Sequence, residues 1–408
     1  MRVCIVTVAG YVHGIGGMQG HTIDLARGLA AAGHDVEVVT AQHPEGVRSE
    51  EYEGARWHFV PVPTRYDRLP MRHPAWIRGA AEEFARLHKD HPFDVVHSES
   101  TSALGLLRRG VHRRVPFAVK FHGNYLGLAR ASIARARRAR DLGSLVTEGK
   151  YVVWISGQHV LPPDAVYRFR VCEAMVPSRQ QLAGTTRSFG LRREHVHVVP
   201  NGVDVTRYRP RSRRDAQSAL GLGDGPVLLC AARLDREKGI HLAIEALRGL
   251  DGVTLVVVGE GDERHALERL AESLAVSDRV VFAGRQTREA VATYMAAADI
   301  FVFPTEREEA APLVVPEAMA SGLPVVASRI GGITEVIDAP GESGVLIPSG
   351  NVDALRTALA HLLGDADARR RIGDAARARV EQEYTIERMV ERTLAIYEIA
   401  RRRLIGAQ

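Results

Sequence analysis

One pattern dominates the sequence: a short β-branched segment leads through a turn that contains glycine into a segment whose apolar residues have helical spacing. This alternation recurs many times along the chain. Because parallel strands can be joined only by crossover connections, strands that alternate with helices build parallel sheets covered by helices on both faces. The sequence therefore predicts an α/β fold.

The alternation falls into two series, separated by the turn-forming cluster Pro200–Asp204. A chain of 408 residues is long enough for two or three domains at roughly 100–200 residues each. A single eight-fold barrel would not need the break in mid-chain. We predict two doubly wound Rossmann-like domains, 1–202 and 203–384. The predicted strands are residues 3–8, 36–39, 94–97 and 117–122, and then 227–230, 254–258, 280–282, 300–303 and 325–327.

Composition limits the class of protein. Hydrophobic residues make up 45% and charged residues 25%, which excludes a disordered or fibrous chain. No apolar run reaches about 18 residues, so we expect no membrane span. The three cysteines, Cys4, Cys172 and Cys230, cannot all pair, and two of them lie in apolar strand segments, so we expect a reducing, cytoplasmic compartment. The net charge of +5 mildly favours anionic partners.

A glycine-rich segment, residues 14–20, lies between the first predicted strand and a helix. Glycines there allow backbone N–H groups to approach a phosphate at a helix N-terminus. Gln19 stands where the dinucleotide fingerprint needs its third glycine, although Glu37 at the end of the next strand partly supports a dehydrogenase. Phosphate contact and a merely tight turn both remain open for this segment.

Two cations follow a strand of the second series. Arg233 and Lys238 lie on a strand-to-helix connection, where open α/β sheets bind ligands. Two fixed cations suit a diphosphate, because they neutralise the charge that builds on it when a bond to it breaks. Surface ion pairs with Asp235 or Glu237 are the alternative.

Two carboxylates accompany a later helix. Prolines are tolerated in the first turn of a helix, so Pro312 and Pro316 place that turn, with Glu317 inside the helix and Glu309 before it. Carboxylates are good acceptors for the hydroxyls of a sugar or ribose. Helix capping and solvated charge are the alternative.

This constellation resembles the retaining GT-B glycosyltransferases of glycosyltransferase family 4. In that family a glutamate is followed after seven residues by a second glutamate and Ala-Met-Ala-x-Gly, which Glu309 and residues 317–322 match. The other landmarks occur in the family's order: residues 16–17, 33–34, 96–97, 122–123, 200–204, 233 with 238–239, 258–261, 282–284, 298–300 and 331–335.

The resemblance implies a role for each matching residue. Arg233 and Lys238 would hold the donor's diphosphate, Glu309 the transferred sugar and Glu317 the ribose. His122 would lie near the sugar and would be catalytic, as would Arg233, Lys238 and Glu309, whereas Glu317 would only bind the donor. The remaining donor contacts would come from Gly16, Gly17, Gly259, Gly284, Arg285, Leu313 and Val314. Pro312 departs from the family's glycine-containing loop, and it removes one backbone N–H.

The resemblance also implies the reaction and the partners. It predicts metal-independent transfer of a hexose, with retained configuration and no cofactor, from a UDP- or GDP-sugar. The two domains would face each other across a cleft, the first holding the acceptor and the second the donor. A C-terminal helix, residues 385–408, would return to the first domain.

The acceptor is predicted only by class. It would be a glycan, a lipid-linked sugar or a small molecule, but not nucleic acid. We expect the basic residues Arg135, Arg137 and Arg138 to contact it, with a solvated helix as the alternative. A peripheral contact with the inner face of a membrane is a further expectation. A sugar-nucleotide 2-epimerase of the same fold, an NAD-dependent dehydrogenase and a non-catalytic sugar- or nucleic-acid-binding module are the competing classes.

Overall fold

The computed structural model describes residues 1–14, 16–62, 73–123, 169, 172–337 and 342–406. The chain divides into two compact units. The first unit is Met1–Gly202 together with Ile386–Gln408, and the second is Val203–Thr385.

Each unit is built on one sheet of short strands that are rich in valine, and most of these strands are buried. The strands of the first unit are β1 (Arg2–Val6), β2 (Asp35–Thr40), β3 (Ser49–Tyr52), β4 (Ala55–Phe59), β5 (Val95–Glu99), β6 (Phe117–Lys120), β7 (Glu173–Val176) and β8 (Val196–Val198). Those of the second unit are β9 (Val227–Ala231), β10 (Thr254–Val258), β11 (Val280–Gly284), β12 (Ile300–Phe303), β13 (Val325–Ser328) and β14 (Val345–Ile347).

Helices separate most of these strands in the described part of the chain. They are α1 (Gly17–Ala31), α2 (Pro74–Asp90), α3 (Leu104–Arg108), α4 (Arg179–Phe189), α5 (Arg213–Ala219), α6 (Ile240–Ala246), α7 (Arg264–Ser273), α8 (Arg288–Ala297), α9 (Val314–Ala320), α10 (Ile333–Val336), α11 (Val352–Gly364), α12 (Ala366–Glu383) and α13 (Ile386–Gly406). None of the described helices is long and apolar enough to cross a membrane.

The strand order identifies a ligand-binding edge in each sheet. The first sheet has the order β3-β4-β2-β1-β5-β6-β7-β8 and the second β11-β10-β9-β12-β13-β14. All pairings are parallel except β3 with β4. The chain reverses its direction of growth between β1 and β5, and between β9 and β12. Open α/β sheets bind ligands outside the carboxyl ends of the strands at such switch points.

The last helix belongs to the first unit. Ile386, Met389 and Val390 of α13 are buried in the core that contains β1 and α1. A Cβ atom placed on Gly28 of α1 would lie 2.6 Å from Ile386, so only glycine lets the two helices approach this closely. The prediction of a C-terminal helix that returns to the first domain is confirmed, as is the doubly wound α/β fold.

Candidate active site

The switch point of the second sheet brings two loops into direct contact. The loop after β9 contains Gly239, whose φ is 69°, and a Cβ atom there would lie 2.0 Å from the carbonyl oxygen of Pro304 after β12. The backbone N–H of Glu306 and the hydroxyl of Thr305 both donate to the carbonyl oxygen of Glu237, at 2.8 and 3.0 Å. These bonds fix the two loops relative to each other.

An ion pair joins the same two loops. Nζ of Lys238 lies 2.6 Å from Oε1 of Glu309, and their side chains are only 14% and 13% exposed. The backbone of Glu309 is held from the other side, because its carbonyl oxygen accepts from the N–H of Gly332 at 2.8 Å. A lysine ammonium has three donors, so Glu309 does not exhaust the capacity of Lys238.

Arg233 occupies a different environment from Lys238. Its side chain is 68% exposed and pairs with Asp235 at 2.7 Å. The alternative interpretation from the sequence, a surface ion pair with Asp235, therefore describes Arg233 in this structure. Exposed pairs of this kind contribute about 0–1 kcal/mol, so Arg233 can leave Asp235 for a more highly charged partner at little cost.

Glu317 is buried in α9, the helix that follows the loop carrying Glu309. One of its carboxylate oxygens lies 3.9 Å from Nη2 of Arg288 on α8. Burial raises the pKa of the neighbouring Tyr208 hydroxyl, and the negative charge of Glu317 raises it further. Leu313 precedes α9, and Val314 is its first residue. Both are half-buried.

The neighbouring turns are tightly packed. The N–H of Gly259 donates to the carbonyl oxygen of Gly284 at 2.8 Å. Gly259 has a φ of 139°, and a Cβ atom there would lie 1.8 Å from the carbonyl oxygen of Ala232. Arg285, which follows Gly284, is exposed. The structure thus brings the predicted donor residues of this unit to the carboxyl ends of β9, β10, β11 and β12.

In the first unit, the glycine-rich segment leads into α1. Gly16 is the N-cap of α1 and Gly17 is its first residue. No atom of the described residues lies within 4 Å of a Cβ placed on Gly17, so this end of the helix is open. This opening leaves room for a ligand at the N-terminus of α1.

His122, just after β6, contacts a buried acid that the sequence analysis did not identify. Nε2 of His122 is hydrogen-bonded to Oε2 of Glu99, the last residue of β5. Nε2 of His21 on α1 and Nε2 of His97 on β5 each lie 3.5 Å from the other oxygen, Oε1. Glu99, His21 and His97 are at most 1% exposed.

The charges of this group depend on its burial. Burial alone would raise the pKa of Glu99, but the imidazoles of His21 and His122 and the hydrogen bond from His122 hold that pKa well below its usual value. Lys120 lies opposite Glu99 in the β5–β6 register, and burial lowers its pKa to about 7. Glu99 therefore carries a negative charge.

Three of these side chains are of the metal-ligating type. Each of the three offers one atom that could bind a metal, an imidazole nitrogen or a carboxylate oxygen, and these atoms all lie within 4.8 Å of one another in His21, Glu99 and His122. His122 and Glu99, however, bond directly to each other. A proton between Nε2 and Oε2 accounts for that contact.

Comparison with known proteins identifies the family to which this chain belongs. The family profile described as "Glycosyltransferase Family 4" matches residues 15–207, and that described as "Glycosyl transferases group 1" matches residues 212–379. The chain is 30% identical to the GDP-mannose-dependent alpha-(1-6)-phosphatidylinositol monomannoside mannosyltransferase of Mycolicibacterium smegmatis, over 75% of this chain and 78% of that protein. It belongs to glycosyltransferase family 4.

One further relative and one solved structure match nearly the whole length of this family 4 protein. It is 29% identical to the MMP alpha-(1->4)-mannosyltransferase of Mycolicibacterium hassiacum, over 98% of both chains. The structure of sucrose-phosphate synthase from Thermosynechococcus elongatus superposes with a TM-score of 0.78, at 24% identity over 100% of both chains. The expected GT-B fold is thus confirmed. The protein is an enzyme, a glycosyltransferase that uses a nucleotide-sugar donor.

The predicted acceptor residues of this family 4 enzyme, Arg135, Arg137 and Arg138, lie outside the described residues. Their role stays a prediction.

Glu99, His21 and Lys120 were not predicted from the sequence. A usable signal was present, since His97, Ser98 and Glu99 end a buried strand that begins with two valines, and Lys120 ends the next strand. Polar side chains at the carboxyl ends of buried parallel strands are candidates for a site.

Proposed function

We propose that this glycosyltransferase moves a hexose from a nucleoside-diphosphate sugar to a hydroxyl of a glycan, a lipid-linked sugar or a small molecule, with retained configuration and without a metal. The Lys238–Glu309 pair at the switch point of the second sheet carries the proposal, because it offers a cation and a carboxylate side by side where ligands bind. The second unit would hold the donor and the first the acceptor.

In this proposal, Lys238 and Arg233 neutralise the diphosphate. Lys238 is already ordered by Glu309 and largely shielded from water, so its attraction for a phosphate is little screened. Arg233 would exchange the exposed carboxylate of Asp235 for the phosphate. Fixed cations at developing negative charge can replace a metal ion in stabilising a leaving diphosphate.

The remaining donor contacts follow from the same placement. Glu309 would accept hydrogen bonds from hydroxyls of the sugar, and Glu317 from those of the ribose. The backbone around Gly284 and Arg285 would meet the base, while Leu313, Val314 and Gly259 would line the site. From the first unit, Gly16 and Gly17 would approach the diphosphate, and His122 would face the sugar.

We propose that the acceptor hydroxyl attacks the anomeric carbon on the face from which the diphosphate departs. The bond from the anomeric carbon to the phosphate oxygen breaks, the bond to the acceptor oxygen forms, and the leaving phosphate takes the hydroxyl proton. The configuration at the anomeric carbon is then retained, and no protein nucleophile is needed.

Relatives guide the choice of donor. One similar protein is named as GDP-mannose-dependent, and another as a mannosyltransferase. We therefore propose GDP-mannose as the first donor to test. Thermal unfolding with GDP, UDP and ADP and their hexose conjugates tests this, since a ligand at a hundred times its Kd stabilises by about 2.7 kcal/mol. A shift with UDP or ADP alone would contradict the choice of GDP. No shift with any of them would contradict donor binding itself.

The chemistry is tested with the donor that binds. Turnover should persist in EDTA, and NMR of the product should show the anomeric configuration of the donor. Loss of turnover in EDTA, restored by a divalent ion, would contradict metal independence. An inverted product would contradict retention. Nucleotide release that yields a 2-epimerised sugar, rather than a transferred or hydrolysed one, would favour the epimerase.

A matched pair of variants tests Lys238. We expect Lys238→Met to lower turnover by about 10²–10³-fold, the loss typical of a removed transition-state donor. It should also weaken binding of the nucleoside diphosphate more than binding of the nucleoside. Arg236→Met is the control, because Arg236 is exposed in the same turn, Arg236–Lys238. Equal effects of the two variants would contradict the assignment.

A further inference from the structure

We propose that Glu99, backed by His97 and Tyr397, is a positioning residue that sets the orientation and the proton of His122. The inference rests on the proposed function, in which His122 faces the transferred sugar. It extends that function to buried residues, one of which belongs to the C-terminal helix α13.

The polar contacts run in sequence from the helix to His122. The hydroxyl of Tyr397 on α13 lies 2.8 Å from Nδ1 of His97. Nε2 of His97 lies 3.5 Å from Oε1 of Glu99, and Oε2 of Glu99 is hydrogen-bonded to Nε2 of His122. Tyr397, His97 and Glu99 are at most 1% exposed, whereas the His122 side chain is 15% exposed. The buried residues of this series of contacts are therefore fixed, and of the four side chains only that of His122 reaches the surface.

Glu99 determines which nitrogen of His122 carries a proton. An ionised carboxylate can only accept hydrogen bonds, so the Nε2 atom that contacts Glu99 must be protonated. Nδ1 is then the nitrogen left for a ligand: in the neutral ring it accepts a hydrogen bond from a sugar hydroxyl. Without the carboxylate, the ring could adopt the other tautomer or rotate, and Nδ1 would lose that role.

His21 supports the same arrangement from α1. Its ring lies edge-on to that of His122, with centroids 4.8 Å apart. Its Nε2 faces Oε1 of Glu99, although neither of its ring nitrogens has a hydrogen-bond partner among the described residues. Glu99 is thus the one carboxylate shared by the three imidazoles, and its removal affects all of them.

A second buried glutamate provides a matched control. Glu173, at the start of β7, accepts from His195, His197 and Arg403 of α13 at 2.8–3.0 Å. It resembles Glu99 in burial, in its imidazole partners and in its link to the same helix, but it lies at the opposite edge of the sheet. Glu173→Gln therefore reports what loss of a buried charge does to the unit without touching His122.

The test compares Glu99→Gln, Tyr397→Phe, Glu173→Gln and His122→Ala in the full chain. Long-range ¹H–¹⁵N spectra of the histidine-labelled enzyme give the tautomer of His122 directly and need no substrate. We expect protonated Nε2 in the wild type and in Glu173→Gln. In Glu99→Gln the amide can donate to Nε2, so we expect the proton to move to Nδ1.

Kinetics with GDP-mannose provide the second readout. Glu99→Gln should lower kcat for transfer or hydrolysis by about 10–100-fold with little change in KM, because His122 acts on the sugar rather than on the nucleotide. Tyr397→Phe should lower kcat roughly two- to tenfold, the value of one hydrogen bond. Glu99→Asp, which keeps the charge, should recover part of the loss.

The outcomes distinguish a failure of the proposed function from a failure of the inference about Glu99. An unchanged kcat in His122→Ala would overturn the role of His122 in the proposed function. A slow His122→Ala beside a Glu99→Gln that keeps its tautomer and kcat would overturn the inference alone. Equal losses in Glu99→Gln and Glu173→Gln, with the tautomer unchanged, would assign Glu99 a purely structural role.

Discussion

Lys120 is buried opposite Glu99, and it should make the stability of the first unit depend on pH. Its ammonium donates a hydrogen bond to the carbonyl oxygen of Val199, and its side chain is 1% exposed. Burial lowers its pKa from the usual 10.5 to about 7, and the attraction of Glu99 offsets only part of that change. Lys120→Met replaces it with an apolar side chain of similar length.

The sign and size of the effect follow from proton binding. Between pH 7 and 10.5 the unfolded chain holds the Lys120 proton and the folded chain does not. Stability from this group is therefore fully present above pH 10.5, falls as pH drops, and levels off below about pH 7. Each pH unit in this window changes the free energy of unfolding by about 1.4 kcal/mol. The wild type should gain about 2–3 kcal/mol relative to Lys120→Met between pH 6 and 9.

Urea unfolding of both proteins at several pH values measures this difference for the transition of the first unit. Taking the difference cancels the contributions of all other titrating groups. Lys89→Met is the control, because Lys89 is exposed on α2 and its charge is in water whether the chain is folded or not. A difference that stays within about 0.5 kcal/mol from pH 6 to 9 would show that burial does not discharge Lys120.

Gly259→Ala tests the packing of the second unit, with Gly252→Ala as its control, and Glu173→Gln tests the second buried charge. Gly259→Ala should destabilise the second unit by about 3 kcal/mol or more, since its Cβ would overlap the oxygen of Ala232. Gly252→Ala, at a positive φ but with no described atom within 4 Å, should cost only about 1 kcal/mol in the same urea titration. Glu173→Gln should lower the free energy of unfolding by about 1–3 kcal/mol above pH 4.5, where the wild-type carboxylate is charged in both the folded and the unfolded chain. Burial alone would raise the pKa of Glu173, but hydrogen bonds from its imidazole partners and Arg403 lower it, so unfolding curves should converge as pH falls below 4.5.

Sequence periodicity predicted the central strands of both sheets. Each predicted segment overlaps an observed strand, from β1 and β2 to β13, because buried parallel strands are continuous apolar runs. The strands that were not predicted, β3, β4, β7, β8 and β14, lie at or next to an edge of their sheet. β3 reads Ser-Glu-Glu-Tyr, and its alternating exposure gives it no such run. β7 begins with the buried Glu173, whose charge is matched by partners far away in the sequence.

The site could be predicted where local spacing carried the signal. Lys238 lies in a turn, Glu309 in a loop and Glu317 in α9, and each belongs to a contiguous motif. Glu99 has no such motif, because its partners come from α1, β5 and the segment after β6 and meet only when the sheet has formed. Pairing across the fold also explains why Arg288, next to Glu317, was not predicted.

The return of α13 to the first unit affects the order in which the protein can fold during synthesis. The core around β1 and α1 lacks Ile386, Met389, Val390, Ile396 and Tyr397 until the last helix has left the ribosome. The second unit is continuous from Val203 to Thr385 and needs nothing beyond that point. At roughly 5–20 residues per second, the first unit waits about 10–40 s with an uncovered apolar face. The part of the enzyme that is made first is thus completed last, and during that interval it is the part most exposed to chaperones and to aggregation.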